Sequence, residues 1–235
     1  MNQFVATMPA AYARLYDSRE AAEHAAIAAR RGVQLVHAEP WQSAKAPLLC
    51  VVAEDRPGLL ALVTDALLAQ GMAIQSARAF CRVVGKDRDE AVDFLELRAL
   101  GGPDVAAQLD GDALQAFVQS LSELVADDMA QQVAPSPAAS PAETERTRRV
   151  YFERQSPADG RYLLVVDAPD ADGILHAVSS ALHAKGMRIT ACEICTVAGY
   201  ARDRFEVEPT SQRLLNDAEL CDVQLAVLDA LPSRR

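Results

Sequence analysis

Aromatic side chains are scarce in this 235-residue chain: they make up 5% of it, with a single tryptophan, Trp41. A core built from such a composition relies on Ala, Leu and Val, and hydrophobic residues at 50% suffice for one. Positive charge is also in deficit. With 23 Lys and Arg against 33 Asp and Glu, the formal net charge is −10, which argues against nucleic acid or an anionic membrane as the main partner. No apolar run approaches the roughly 18 residues of a membrane span. Met1 to Arg14 lacks the positively charged start and long apolar core of a secretion signal. The cysteines number five, an odd count scattered along the chain, as expected of reduced thiols. These absences predict a soluble, cytoplasmic protein with room for one large domain or two small ones.

What is present is organised around Glu54-Asp55-Arg56-Pro57-Gly58-Leu59. Before it, Leu48-Leu49-Cys50-Val51-Val52 reads as a buried strand. After it, Leu59, Leu60, Val63, Ala66 and Leu67 recur at helical spacing until Gly71 closes the helix. Pro57 suits a first helical turn, and Gly58 lets another group approach its backbone closely. A tight loop entering an exposed helix N-terminus suits a small anion. Upstream, Asp17-Ser18-Arg19-Glu20 predicts a capped helix start, with an Ala-rich helix running to Arg31 and Gly32 behind it. Val33 to His37 reads as a short strand and Pro40 to Pro47 as a loop. Downstream come a strand from Ala73 to about Val84, a second at Ala91 to Leu97, and an amphipathic helix starting near Asp112.

The chain then repeats itself. A shift of 115 residues sets Leu48 on Leu163, Val51 on Val166, Asp55 on Asp170, Gly58 on Gly173, Gly71 on Gly186 and Ile74 on Ile189. At a shift of 110, Asp93-x-Leu95-x-Leu97 meets Asp203-x-Phe205-x-Val207. Core faces and punctuating glycines are what a structural duplication retains. The pattern predicts an α+β fold of two ferredoxin-like βαββαβ sandwiches in tandem. Residues 1–32 form an N-terminal segment with one helix, 33–132 the first repeat, 133–149 a Pro- and Ala-rich linker, and 150–235 the second repeat. Each repeat lacks a closing strand after its second helix. The expectation is therefore exchanged edge strands, with Val150 to Glu153 available to the first sheet and Val33 to His37 closing the second.

With that pattern and the Asp55-Arg56-Pro57-Gly58-Leu59 turn, the sequence resembles the ACT domain family, regulatory modules that commonly bind amino acids. In particular it is similar to the C-terminal tandem ACT region of the bifunctional uridylyltransferase/uridylyl-removing enzymes of bacterial nitrogen control. The turn at 55–59 and the strand motif at Asp203, Phe205 and Val207 carry the likeness. No nucleotidyltransferase Gly-Ser motif with paired aspartates and no His-Asp metal cluster accompanies them, so the resemblance implies the sensing portion and no enzyme chemistry. It implies an amino acid as the small-molecule ligand, glutamine being the one suggested, a regulated protein partner, and association of copies; it points to no cofactor.

Gly58, Leu59 and Leu60 offer N–H groups suited to an amino-acid carboxylate, beside Arg56 and Pro57. Asp55 can meet the ammonium, and the strand edge at Ile74 and Gln75 can frame the side chain. The plainer reading is a turn common to the whole fold. A second, weaker site is expected at Asp170, Asp172, Gly173, Ile174 and Leu175, where Asp172 is placed to cap its own helix in the anion's position. His176 and His183 lie on one helical face, and an exposed face is the favoured reading over a metal site, which needs more ligands. Cys192 and Cys195 form a CxxC inside a strand and so point to opposite faces, unlike a redox pair. The rival to a ligand-responsive module is a ligand-free interaction or dimerisation module.

Overall fold

The computed structural model describes residues 3–43, 46–85, 89–102, 105–128, 148–153, 160–197, 199–211 and 213–232. The proline-rich part of the expected linker, Pro135 to Pro141, lies outside the described residues. The N-terminal segment carries three helices, α1 (Gln3–Thr7), α2 (Tyr12–Leu15) and α3 (Ser18–Arg31). Asp17 caps α3 by accepting from the N–H groups of Arg19 and Glu20, and Glu20 returns a bond to the Asp17 N–H. The first repeat follows as β1 (Val36–Gln42), β2 (Pro47–Glu54), α4 (Leu59–Ala69), β3 (Met72–Val83), β4 (Asp89–Ala99), the two-residue β5 (Ala106–Ala107) and α5 (Gly111–Asp128). The second contains β6 (Arg149–Glu153), β7 (Tyr162–Pro169), α6 (Ile174–Ala184), β8 (Met187–Val197), β9 (Tyr200–Pro209) and α7 (Asp217–Ala230).

All the strands among the described residues belong to one antiparallel sheet ordered β1-β2-β4-β3-β8-β9-β7-β6, with β5 on β4. Each repeat is α+β and ferredoxin-like in strand order, but its closing strand precedes the first core strand. The expected exchange of edge strands is therefore wrong. β1 pairs with β2 of its own repeat, and β6 with β7. A hairpin to the next strand closes only a short loop, whereas a crossing to the other sheet would span most of the chain. The strand also runs further than expected, through Pro40 and Trp41. Proline is tolerated there because β1 is an edge strand, with one row of its backbone groups outside the ladder.

What joins the repeats is β3 against β8, antiparallel, with Arg78 opposite Glu193. Those two positions are equivalent under the 115-residue shift, so a pseudo-twofold axis passes between them. Both strands carry a register irregularity at matching places, between Ile74 and Ser76 and between Ile189 and Ala191. One apolar core extends over both repeats beneath the helical layer, including Leu67, Leu95, Phe117, Leu164, Leu182 and Phe205, and α4 packs on α6 as well as α5. The other face of the first repeat's sheet is covered by α1 to α3 through a separate cluster of Phe4, Tyr12, Ile27, Trp41, Phe80 and Phe94. No helix among the described residues is long and apolar enough to cross a membrane.

Candidate functional site

The strand-to-helix turns end at Gly58 and Gly173, which take left-handed φ values of 85° and 86° at the N-termini of α4 and α6. Neither helix has a side-chain cap. At the first turn the Leu59 N–H is spent on the Arg56 carbonyl at 3.2 Å, while the Gly58 and Leu60 N–H groups have no acceptor among the described residues. Gly58 also serves a packing purpose: a Cβ there would stand 3.2 Å from the His183 ring of α6.

Two clefts flank the β3–β8 seam and are exchanged by the pseudo-twofold axis. The first is lined by Asp55, Arg56, Gly58, Leu59, Leu60, Ala91 and Asp93 of the first repeat and by Ser179, Met187, Ile189 and Thr190 of the second. The second is lined by Asp170, Asp172, Gly173, Ile174, Leu175 and Asp203 of the second repeat and by Thr64, Met72, Ile74 and Arg98 of the first. Their open volumes, about 460 and 470 Å³, hardly differ. Chemistry must distinguish them.

Each turn is thus completed by a strand of the opposite repeat, contrary to the expectation for Ile74 and Gln75. Ile74 lines the second cleft, and Gln75, in the bulge of β3, lines neither. The β-pairing explains this: the start of β3 runs antiparallel past the end of β8 and lies over the other repeat's turn. Met187, Ile189 and Thr190 take the place foreseen for Ile74 and Gln75. Pro57 sits in the turn without lining the cleft.

The charged groups are also placed differently. Asp55, expected to face a ligand's ammonium, instead accepts from Arg188 of β8, Nε to Oδ2 at 2.9 Å. The same guanidinium reaches Asp89, Glu208 and the Cys81 sulfur. Asp55, Cys81 and Asp89 converge closely enough to suggest a metal site, but Arg188 occupies their centre. Arg56 turns away from the cleft mouth to donate to the Val125 carbonyl at the end of α5, 2.7 Å. In the second cleft Asp172 does not cap α6; it pairs with Arg98 of β4. A nearby guanidinium outcompetes neutral N–H groups for that carboxylate. His176 and His183 are half-buried between α6 and α4, the former 3.1 Å from Asp65, rather than on an open helix face. Cys192 is buried and Cys195 exposed, as strand alternation requires.

The acids at the floor of the clefts were missed as site residues. Asp93 and Asp203 are 3% and 1% exposed. Burial first, and the charge of Asp55 second, push Asp93 up to about 8. Burial likewise pushes Asp203 up to about 7, against a lowering hydrogen bond from the Cys195 N–H. The signal was the repeat itself, which aligns one acid on the core-facing side of each strand, between Ala91 and Leu95 in β4 and between Ala201 and Phe205 in β9.

No protein-family model matches the chain. It is 31% identical over 186 residues to the bifunctional uridylyltransferase/uridylyl-removing enzyme of Xanthomonas oryzae pv. oryzae, covering 76% of this chain and 20% of that enzyme. The chain is related to one segment of that enzyme. The corresponding enzyme of Xanthomonas campestris pv. campestris is 30% identical over 185 residues, with the same coverage. The chain therefore spans about one fifth of the length of the curated relatives it matches. A solved structure of aspartate kinase from Synechocystis aligns with 77% of the chain and 26% of its own, at 12% identity and a TM-score of 0.39.

Proposed function

We propose that this chain is a regulatory module that senses an amino acid, held in the first cleft between the repeats, and performs no chemistry of its own. The observation that carries the reading is the construction of the cleft. A helix N-terminus with two unclaimed N–H groups faces a strand from the other repeat, so a ligand there touches both repeats at once. Glutamine is the ligand that the resemblance suggests, and the relation to a uridylyltransferase/uridylyl-removing enzyme supports a role in nitrogen regulation. Binding would favour one arrangement of the β3–β8 seam and pass that preference to a protein partner, a population shift.

A second reading, a ligand-free interaction module, is favoured by one feature: Arg188 and Arg98 already engage the acids at the two cleft mouths. Thermal-shift measurement with each common amino acid in turn separates the two. A ligand present at 100 times its Kd stabilises the folded chain by about 2.7 kcal/mol, which for a domain of this size is a rise of roughly 5–10 °C. If none of them, glutamine included, raises the melting temperature, the sensing reading falls.

A further inference from the structure

Resting on the amino-acid reading, we propose that the carboxyl group of Asp93 is the deep anchor of the first cleft and receives the ammonium group of the bound amino acid. Asp93 lines that cleft while 97% buried, and its oxygens have no hydrogen-bond or ion-pair partner among the described residues. A buried carboxyl without a partner is costly, so its place on the core-facing side of β4, between Ala91 and Leu95, calls for an occupant. The neighbouring cation cannot supply one, because Arg188 is committed to Asp55, Asp89 and Glu208. An ammonium group brings the charge and the donors that Asp93 lacks. The unclaimed Gly58 and Leu60 N–H groups then remain for the ligand's carboxylate.

The equivalent acid provides the internal comparison. Asp203 already accepts from the Cys195 N–H at 3.3 Å, and the mouth of its cleft is closed by Arg98 on Asp172. The first cleft alone presents an unsatisfied acid, so the pseudo-symmetric pair is chemically unequal.

Proton release follows. The groups around Asp93 are Asp55 from the turn and Cys192 from β8, with Cys50 of β2 on the opposite face of the sheet; Arg56 lines the cleft but donates to the Val125 carbonyl, Arg188 holds Asp55, and His183 of α6 stands beside Gly58. Burial raises both thiols, which stay protonated at neutral pH. Asp93 itself, pushed up to about 8, holds its proton at pH 7 in the empty cleft. A bound ammonium favours the ionised form, so binding displaces that proton. Affinity should rise about tenfold per pH unit below 8, level off just above it, and fall once the ligand's own ammonium loses its proton.

The test is calorimetric titration of the full chain with each common amino acid at pH 7, in two buffers of different ionisation enthalpy. An amino acid that binds should release close to one proton. D93N should weaken it at least tenfold, D203N should change it less than twofold, and the 2-hydroxy analogue of the ligand should not compete. The proton count needs no variant, so it decides the matter even if D93N fails to fold. Binding without proton release, or with D93N unaffected, overturns the role of Asp93 and leaves the sensing reading standing. Absence of binding by every amino acid overturns both.

Discussion

Replacing Gly58 with alanine should cost more than the same change at Gly173, and the difference should be traceable to one side chain. The two glycines have nearly the same left-handed backbone, φ 85° and 86°. An L residue in that region costs about 1–2 kcal/mol, and this penalty is common to both. The surroundings differ. A Cβ at Gly58 meets Cγ and Nδ1 of His183 at 3.2 Å, whereas nothing lies within 4 Å of one at Gly173. His183 is wedged between α6 and α4, so the ring can yield only by disturbing the helix–helix contact, adding about 1 kcal/mol. Gly58→Ala should therefore lose roughly 2–3 kcal/mol and Gly173→Ala roughly 1–2. The gap corresponds to about 2–4 °C in melting temperature for a chain of this size. Urea denaturation of the single variants and of Gly58→Ala combined with His183→Ala measures the coupling. Equal losses at the two glycines, or an unchanged gap without the His183 ring, would refute the steric argument.

Three further outcomes are expected. Asp17→Ala removes the capping box of α3 and should cost about 1 kcal/mol, with Trp41 fluorescence shifting to the red, because the sole tryptophan donates to Glu23 of that helix at 2.8 Å. His24 is fully buried, 2.7 Å from the Tyr12 hydroxyl and 4.2 Å from the Trp41 and Phe94 ring centroids, and burial lowers it to about 4. Its contribution is present above pH 6.5 and lost as pH falls toward 4, so acid should release α1 to α3, read by Trp41 before global unfolding. Asp203 has the opposite sign: held near 7 when folded, it keeps a proton that the unfolded chain has already lost, so its contribution declines from about pH 4 to 7. Asp203→Asn should flatten that part of the urea-midpoint profile, and an unchanged slope would show that Asp203 is ionised throughout.

Local signals were the legible ones. The Asp17 cap, the left-handed glycines and the alternation across Cys192 and Cys195 depend on neighbours within a few residues, and the structure has them where the sequence implied. The repeat revealed that the same unit occurs twice, but it carried no information about which edges meet. Nothing in Val33 to His37 distinguishes a strand that closes its own sheet from one that crosses to the other. Pro40 argued for a loop because its edge position depends on the rest of the sheet. The swap of Ile74 for Ile189 beside Asp55 follows from the β3–β8 register, a long-range fact. Arg188 looked like an ordinary strand residue, since two of its three acidic partners lie 133 and 99 residues away.

The outer aromatic layer makes the two clefts unequal in a second respect. Phe80 lines the first cleft on β3, and Tyr12 of α2 stands edge-on to it at 5.4 Å, with Tyr16 at 6.3 Å. Ala191 of β8, opposite Phe80 in the ladder, belongs to the same outer cluster. The residue equivalent to Phe80 is Cys195, which is exposed. A change in the seam beside the first cleft therefore moves atoms packed against the N-terminal helices, whereas the same change beside the second meets no comparable layer among the described residues. Close-packed rings transmit displacement because they have no slack to absorb it. An amino acid that binds the first cleft should accordingly alter Trp41 fluorescence through Phe94 and Tyr16, which lie 5.5 and 6.1 Å from the indole. Phe80→Leu should remove most of that response while leaving affinity within a few-fold. A full response from Phe80→Leu would mean that the signal leaves the cleft by another route.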